Sequence, residues 1–291
     1  FLAFDSTTTS CYSPTQSRSV RLLEIRSKPS AWMEEETSMN AETGHWLLFG
    51  ESGSGKSSGA ATWPKPLLVI MWDPMFKERP YLYTRSGKPR GVITRTVEGT
   101  VPVEEARDDS GNLVVRIEHY LDADVKQPRV YAEFLSRMQR IREDIERWQI
   151  KTLVIDSVTF MEIAARKEQQ YRLNPTARDP RQWFAGSTDT LEEVLMVNLG
   201  TLPINVVVIA HIDEDKDELH GTMVRNPAAP GRLRKRTPAG YSEVYRAYVR
   251  RDGDDESQYL WQTRSDQFYN ALSLFNVPNP SIQGYKELWQ S

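Results

Sequence analysis

Residues 46–58 read Trp-Leu-Leu-Phe-Gly-Glu-Ser-Gly-Ser-Gly-Lys-Ser-Ser, and no other stretch of the chain limits the possible folds so tightly. Gly50, Gly55, Lys56 and Ser57 fill every fixed position of the pattern G-x-x-x-x-G-K-[ST], directly after an apolar run of strand character. Glycines let the main chain turn tightly, so that successive N–H groups point inward and form a cradle for an anion. Gly50, Glu51, Ser52, Gly53, Ser54 and Gly55 supply that cradle, and Ser58 continues it. The Lys56 ammonium is placed to reach the outer phosphates of a polyphosphate, and the Ser57 hydroxyl to hold Mg²⁺. A helix beginning there adds a favourable dipole. A chain with this loop after a strand is expected to be an α/β nucleotide-binding protein.

With 291 residues, 39% of them hydrophobic and 26% charged, there is ample material for a core in one large or two small domains. No apolar run has the length needed to cross a bilayer. Cys11 is the single cysteine, which excludes an internal disulfide and a cysteine-based metal site and suits a reducing cytoplasm. The first residues, Phe-Leu-Ala-Phe, are too short for the core of a signal peptide. A net charge of −3 gives no global support for nucleic-acid binding, so any such role must rest on a local patch.

Along the chain, residues 1–45 are rich in Ser and Thr, with one strand-like stretch at Val20–Ile25, and are expected to form an arm or edge element. Strands are expected at Trp46–Phe49, Leu67–Trp72, Thr152–Ile155 and Val206–Ala210. Pro64 and Pro66 limit the helix after the glycine loop to a short one. Residues 75–128 read as an insertion carrying a hairpin, Val101–Glu105 with Leu113–Ile117. The period of Tyr131, Phe134, Leu135, Met138, Ile141, Ile145 and Trp148 predicts one helix over 131–148, and a further helix is expected from about Thr188. Residues 212–240 lack apolar periodicity and read as a long polar loop; Glu243–Arg250 and Gln258–Thr263 read as a closing antiparallel hairpin, with 276–291 as a tail. Short all-apolar strands alternating with amphipathic helices argue for a mostly parallel sheet covered on both faces.

A phosphate cradle needs a carboxylate to complete the magnesium shell, presented at the end of a nearby apolar strand. Leu153-Val-Ile-Asp156 offers one. A carboxylate at the end of a buried strand is costly to desolvate, and a metal ion offsets that cost.

At these residues the chain resembles RecA-like P-loop ATPases. Leu153-Val-Ile-Asp-Ser-Val-Thr159 is similar to their Walker B strand, and Val206-Val-Val-Ile-Ala-His211 to the next core strand. The nearest resemblance is to the phage-encoded group of the AAA-like, single-strand-annealing recombinase type. Its pattern also has a basic Gly-containing loop and a late strand ending in Gln-Thr, here Gly231-Arg-Leu-Arg-Lys-Arg236 and Gln262-Thr263. The resemblance spans about residues 46–275. It implies a RecA-like core with a β-hairpin insertion and C-terminal antiparallel strands, ATP and Mg²⁺ as ligands, and assembly into a homo-oligomeric ring or filament. It also implies a sheet order in which the His211 strand lies between the other two motif strands, aiming His211 at the γ-phosphate. The group usually offers Glu just past the second core strand to orient the attacking water; here Asp73 stands there, with Glu78 five residues on, and Asp73 is favoured.

Arg232, Arg234, Lys235 and Arg236 admit three readings: a contact to the backbone of single-stranded DNA, a finger acting in trans on a neighbour's nucleotide, or a solvated basic loop paired with nearby acids. The resemblance implies action on single-stranded DNA in recombination or replication. The rivals are an ATP-binding switch with little hydrolysis and a motor subunit for DNA packaging or helicase loading.

Overall fold

The computed structural model describes residues 43–74, 78–216, 223–229, 231–252 and 256–289. The expected arm, its strand at Val20–Ile25 and Cys11 lie outside the described residues.

In chain order the elements are β1 (His45–Gly50), α1 (Lys56–Ala60), β2 (Leu67–Met71), α2 (Arg79–Leu82), β3 (Val92–Glu98), β4 (Val101–Arg107) and β5 (Leu113–His119). Then come α3 (Val130–Gln139), α4 (Ile141–Arg147), β6 (Thr152–Asp156), α5 (Val158–Glu168), α6 (Arg181–Glu192) and β7 (Asn205–Ala210). The remainder is β8 (Ile212–Lys216), β9 (Met223–Pro227), α7 (Leu233–Arg236), β10 (Glu243–Asp252), β11 (Glu256–Gln262), β12 (Leu272–Ser273) and β13 (Ser281–Ile282).

One mixed sheet organises these elements, in the order β13-β11-β10-β1-β7-β6-β2-β5-β4-β3, with β12 against β10. The six central strands from β10 to β5 pair in parallel, and antiparallel strands flank them on both sides. The strand order puts β7 between β1 and β6, as the resemblance implies.

Why the central strands are uniformly apolar follows from period-two geometry and a sheet covered on both faces. Leu47, Phe49, Leu68, Ile70, Leu153, Ile155, Val206 and Val208 fill one core cluster, with the apolar sides of α3 to α6. Their alternates Trp46, Leu48, Leu67, Val69, Val154, Val207 and Ile209 fill the other, with Ala60, Trp63, Trp261 and Leu288. The sheet therefore has no wet face at its centre, and polar groups that must meet solvent are forced to strand ends.

Four expectations differ from the structure. The helix expected over 131–148 breaks at Arg140, whose N–H turns back to the Arg137 carbonyl, although α3 and α4 continue one apolar face. α6 starts at Arg181, seven residues before the expected Thr188, with Pro180 at its N-cap position and the Asp179 carboxylate accepting from the Arg181 N–H. Among the described residues of the polar stretch 212–240, β8 and β9 form a two-stranded ribbon and α7 follows. Residues 281–282 of the expected tail are a sheet strand against β11.

A buried ion network ties the hairpin region to α3. Glu118 accepts from Arg116 (2.9 Å) and Arg137 (3.0 Å), and the Arg116 guanidinium lies 4.3 Å above the Trp148 ring. Burial acts to raise the Glu118 pKa, but the two guanidiniums prevail and hold it below the ordinary carboxylate range.

Candidate nucleotide site

Ligands in open α/β sheets bind outside the carboxyl ends of the strands, where the chain order reverses. Here β1 leaves the sheet at Gly50 and the chain returns at β2, with β7 and β6 between them. Gly50, Asp73, Asp156 and His211 all lie at or just past the carboxyl ends of parallel strands, and a cleft of about 610 Å³ opens there.

The glycine loop has the main-chain conformation that the sequence requires. Gly53 (φ 78°) and Gly55 (φ 89°) are left-handed, which side chains disfavour. Gly50 is needed for space, since a Cβ there would lie 2.4 Å from the Ala247 carbonyl oxygen on β10. Lys56 is buried and its Nζ donates to the carbonyls of Gly50 and Glu51, both at 2.7 Å, closing the loop. Glu51, Ser52 and Ser58 are exposed at the mouth, whereas Ser54 is buried and its carbonyl accepts from the Gln283 amide at 2.9 Å. α1 is only five residues long, so the loop amides rather than a long helix dipole give the cradle its polarity.

The two halves of the site converge. Ser57 Oγ donates to Asp156 Oδ2 at 2.7 Å although 99 residues separate them. Register sets the place of the carboxylate in the sheet: Asp156 pairs with Met71 of β2 on one side and Ile209 of β7 on the other. The same Oδ2 accepts from the hydroxyl of Tyr81 at 2.8 Å. Burial first, then the negative charge of Asp73, push the Asp156 pKa above its ordinary value, while Ser57, Tyr81 and Lys56 pull against them. Burial and the Asp156 charge hold the Tyr81 phenol well above its own range, so it remains a donor.

Such a pair of buried carboxylates is a poor resting place for two negative charges and a good one for a dication. Among the described residues no three or more His, Cys, Asp or Glu side chains form a group able to hold a metal unaided. The donor set therefore fits magnesium, which keeps waters and phosphate oxygens and takes only one or two protein oxygens. The Ser57 hydroxyl and the Asp156 carboxylate, in contact with each other, would supply those oxygens.

Asp73 lies in the cleft, 4% exposed, and Ser157 Oγ donates to its Oδ1 at 2.7 Å. Ser157 precedes α5 at the N-cap position but spends its hydroxyl on Asp73 instead of on the helix. His211 Nε2 is 3.9 Å from Asp73 Oδ2, and its backbone N–H is fixed by Thr159 Oγ1 at 3.1 Å. Glu78, the alternative to Asp73, sits at the N-cap of α2 and does not line the cleft.

The basic stretch lies elsewhere. Arg232 pairs with Asp189 (2.6 Å) and Glu192 (2.9 Å) on α6, Arg236 with Glu192 (2.9 Å), and Arg234 with Asp213 (2.5 Å). The side chain of Lys235 lies outside the described residues.

Sequence reasoning missed Tyr81, Ser157, Tyr259 and Gln283. Ser157 was within reach, as a hydroxyl beside the motif carboxylate. The other three come from segments read as insertion, hairpin and tail, and carry no local signal.

Comparison with known proteins agrees with this geometry at the level of family. A search of curated proteins gives no match. Among solved structures, the KaiC-like protein PH0186 from the hyperthermophilic archaeon Pyrococcus horikoshii OT3 is similar over 77% of this chain and 80% of its own, at 13% identity and a TM-score of 0.38. The flagellar accessory protein FlaH from Methanocaldococcus jannaschii is similar over 78% and 79%, at 9% identity and a TM-score of 0.36. The fold is that of a RecA-like P-loop core, on the order of its strands and the placing of its two motifs. Residues 45–270 match the family model described as an AAA domain, and the chain belongs to that family.

Proposed function

We propose that this protein is a Mg²⁺-dependent ATPase of the phage-encoded recombinase type, working as a homo-oligomer. The observation that carries the proposal is the 2.7 Å contact between Ser57 and Asp156 at the mouth of a glycine loop closed by Lys56. The loop amides and Lys56 hold the β- and γ-phosphates. Ser57 and Asp156 hold magnesium, which when bound would neutralise charge developing on the phosphate oxygens. Asp73 orients the attacking water, and His211, beside it, senses the γ-phosphate. No guanine-reading motif stands in the sequence, so ATP is the nucleotide of choice.

The proposed effector is single-stranded DNA, in recombination or replication. The resemblance of the motifs supports it. So does the character of the Arg232 and Arg236 pairs, whose solvent-exposed members are screened by water and yield readily to a phosphodiester. One observation favours the switch reading instead: Asp73 is buried and already engaged by Ser157, which restrains it as a base.

The test is ATP turnover titrated against single-stranded DNA at two salt concentrations, with Lys56→Ala as the blank. Turnover that requires Mg²⁺, is lost in the blank, and rises with DNA more at low salt than at high salt is the expected result. Wild-type turnover that survives in Lys56→Ala refutes the site. Tight ATP binding without turnover, with or without DNA, selects the switch; stimulation by duplex alone selects the motor.

A further inference from the structure

The ends of the cleft differ in chemistry. Ser57, Asp156, Asp73 and His211 crowd one end, beyond β6 and β2, whereas Tyr259 of β11 and Gln283 line the other. Between β11 and β6 lie β10, β1 and β7. The glycine loop lies between them at the end of β1. A triphosphate held on that loop, with its metal end over Ser57 and Asp156, must send its sugar and base away from the carboxylates. The cleft continues past the loop towards Tyr259 and Gln283, which gives the side they take.

On that side Tyr259 is 41% exposed, although the strand carrying it is hydrogen-bonded on both edges. The ring abuts the loop itself: its Cδ1 lies 2.7 Å from where a Cβ on Gly55 would stand. Gln283, 2% exposed, fixes this arrangement from behind. Its main-chain N–H donates to the Tyr259 carbonyl at 3.1 Å, and its side-chain amide donates to the carbonyls of Ser54 (2.9 Å) and Leu260 (3.0 Å). One residue thus locks the strand bearing the tyrosine to the loop bearing the phosphates. A flat, exposed ring held rigidly beside an anion cradle has the attributes of a stacking platform.

We infer that Tyr259 is the nucleobase platform of this site, its ring stacking on the base of a nucleotide whose phosphates lie on residues 50–57. The inference rests on the nucleotide reading above and extends it to the base. Gln283 is the positioning residue for the platform. Its amide nitrogen is engaged by two carbonyls, so recognition at Tyr259 is through the π face, which every base possesses.

The experiment compares binding of ATP and of inorganic tripolyphosphate, each with Mg²⁺, by calorimetry on the full chain. Base stacking on an aromatic ring, at about 1–3 kcal/mol, predicts that Tyr259→Ala weakens ATP binding about 5- to 150-fold. Tripolyphosphate, which has no base to stack, is expected to bind the variant within about twofold of wild type. Tyr259→Phe is expected to restore ATP affinity, because the ring and not the hydroxyl makes the contact. Equal ATP affinity in wild type and Tyr259→Ala overturns the inference, as does an equal loss of both ligands, which would make Tyr259 a support for the loop at Gly55. If the wild type binds neither ligand, the nucleotide reading fails first; if it binds both, only the platform is on trial.

Discussion

Replacing Asp156 by asparagine removes one buried negative charge and preserves the shape of the side chain. Asp156 is 2% exposed, and burial together with Asp73 raises its pKa above the ordinary 3.8. Asparagine keeps an oxygen for the donors Ser57 and Tyr81, now at 2.7 and 2.8 Å. What disappears is the desolvation of a carboxylate and its repulsion by a second one. The sign follows from linkage: a carboxyl whose folded pKa is raised favours the fold while protonated and loses that contribution as pH climbs through the folded pKa. The nucleotide-free variant is therefore expected to be more stable than wild type near pH 8, by about 0.5–2 kcal/mol, the usual gain from relieving a functional compromise. For a domain of this size that is a rise in Tm of about 1–8 °C. The gap is expected to close as pH falls towards 3.8, where the wild-type carboxyl is also neutral. Ligand narrows the gap or reverses it. Mg²⁺ and ATP at a hundred times Kd add about 2.7 kcal/mol to the wild type, and a variant whose metal affinity is lower by about 10–100-fold gains far less. Thermal unfolding at pH 5 and pH 8, with and without Mg²⁺ and ATP, reads all four arms. A nucleotide-free variant less stable than wild type at pH 8, or equal ligand stabilisation of the two proteins, would refute the reasoning.

Two further substitutions separate the loop from the scaffold. Gly55→Ala meets both a left-handed φ of 89° and the Gln283 Oε1 at 2.5 Å, so it is expected to cost about 1–3 kcal/mol in thermal or denaturant unfolding and to abolish ATP binding. Glu118→Ala leaves the Arg116 and Arg137 charges facing each other without their shared carboxylate, and is expected to cost about 3–5 kcal/mol while ATP affinity, measured well below the unfolding transition, stays at the wild-type value.

What was legible in the sequence is what local chemistry dictates. The glycine loop could be read because it is a constraint on the main chain, written in residue types at fixed spacing; Gly53 and Gly55 adopt the positive φ that the pattern requires. β1, β2, β6 and β7 could be read because a strand covered on both faces has no polar alternate, and Asp156 stood out as the first charge to interrupt such a run. The site residues that escaped are those whose role is created by long-range juxtaposition. Gln283 reaches Ser54 across 229 residues, and nothing near it in the sequence marks it off from a terminal tail. The polar ribbon β8–β9 escaped for a different reason: its register pairs Asp213 with Asn226 and Glu214 with Arg225, so it is held by ladder bonds and charge with little apolar periodicity to reveal it.

The basic stretch shows how far such a reading extends. Arg232 to Arg236 is visible as a run of charge with no acid between Glu218 and Glu243, open in sequence to a DNA backbone, a neighbour's nucleotide or the chain's own acids. In space the acids are there, supplied by α6 about 40 residues upstream and by Asp213 on the ribbon. A charge run therefore specifies an amount of charge to be neutralised, and only the fold decides what neutralises it. Where the fold already supplies acids, as here, a nucleic acid must displace them, and binding that depends on such exchange weakens as salt rises because salt screens the phosphate contacts more than it aids the exchange. The salt dependence of DNA stimulation is thus the measurement that tells an engaged basic loop from one that only answers its own helix.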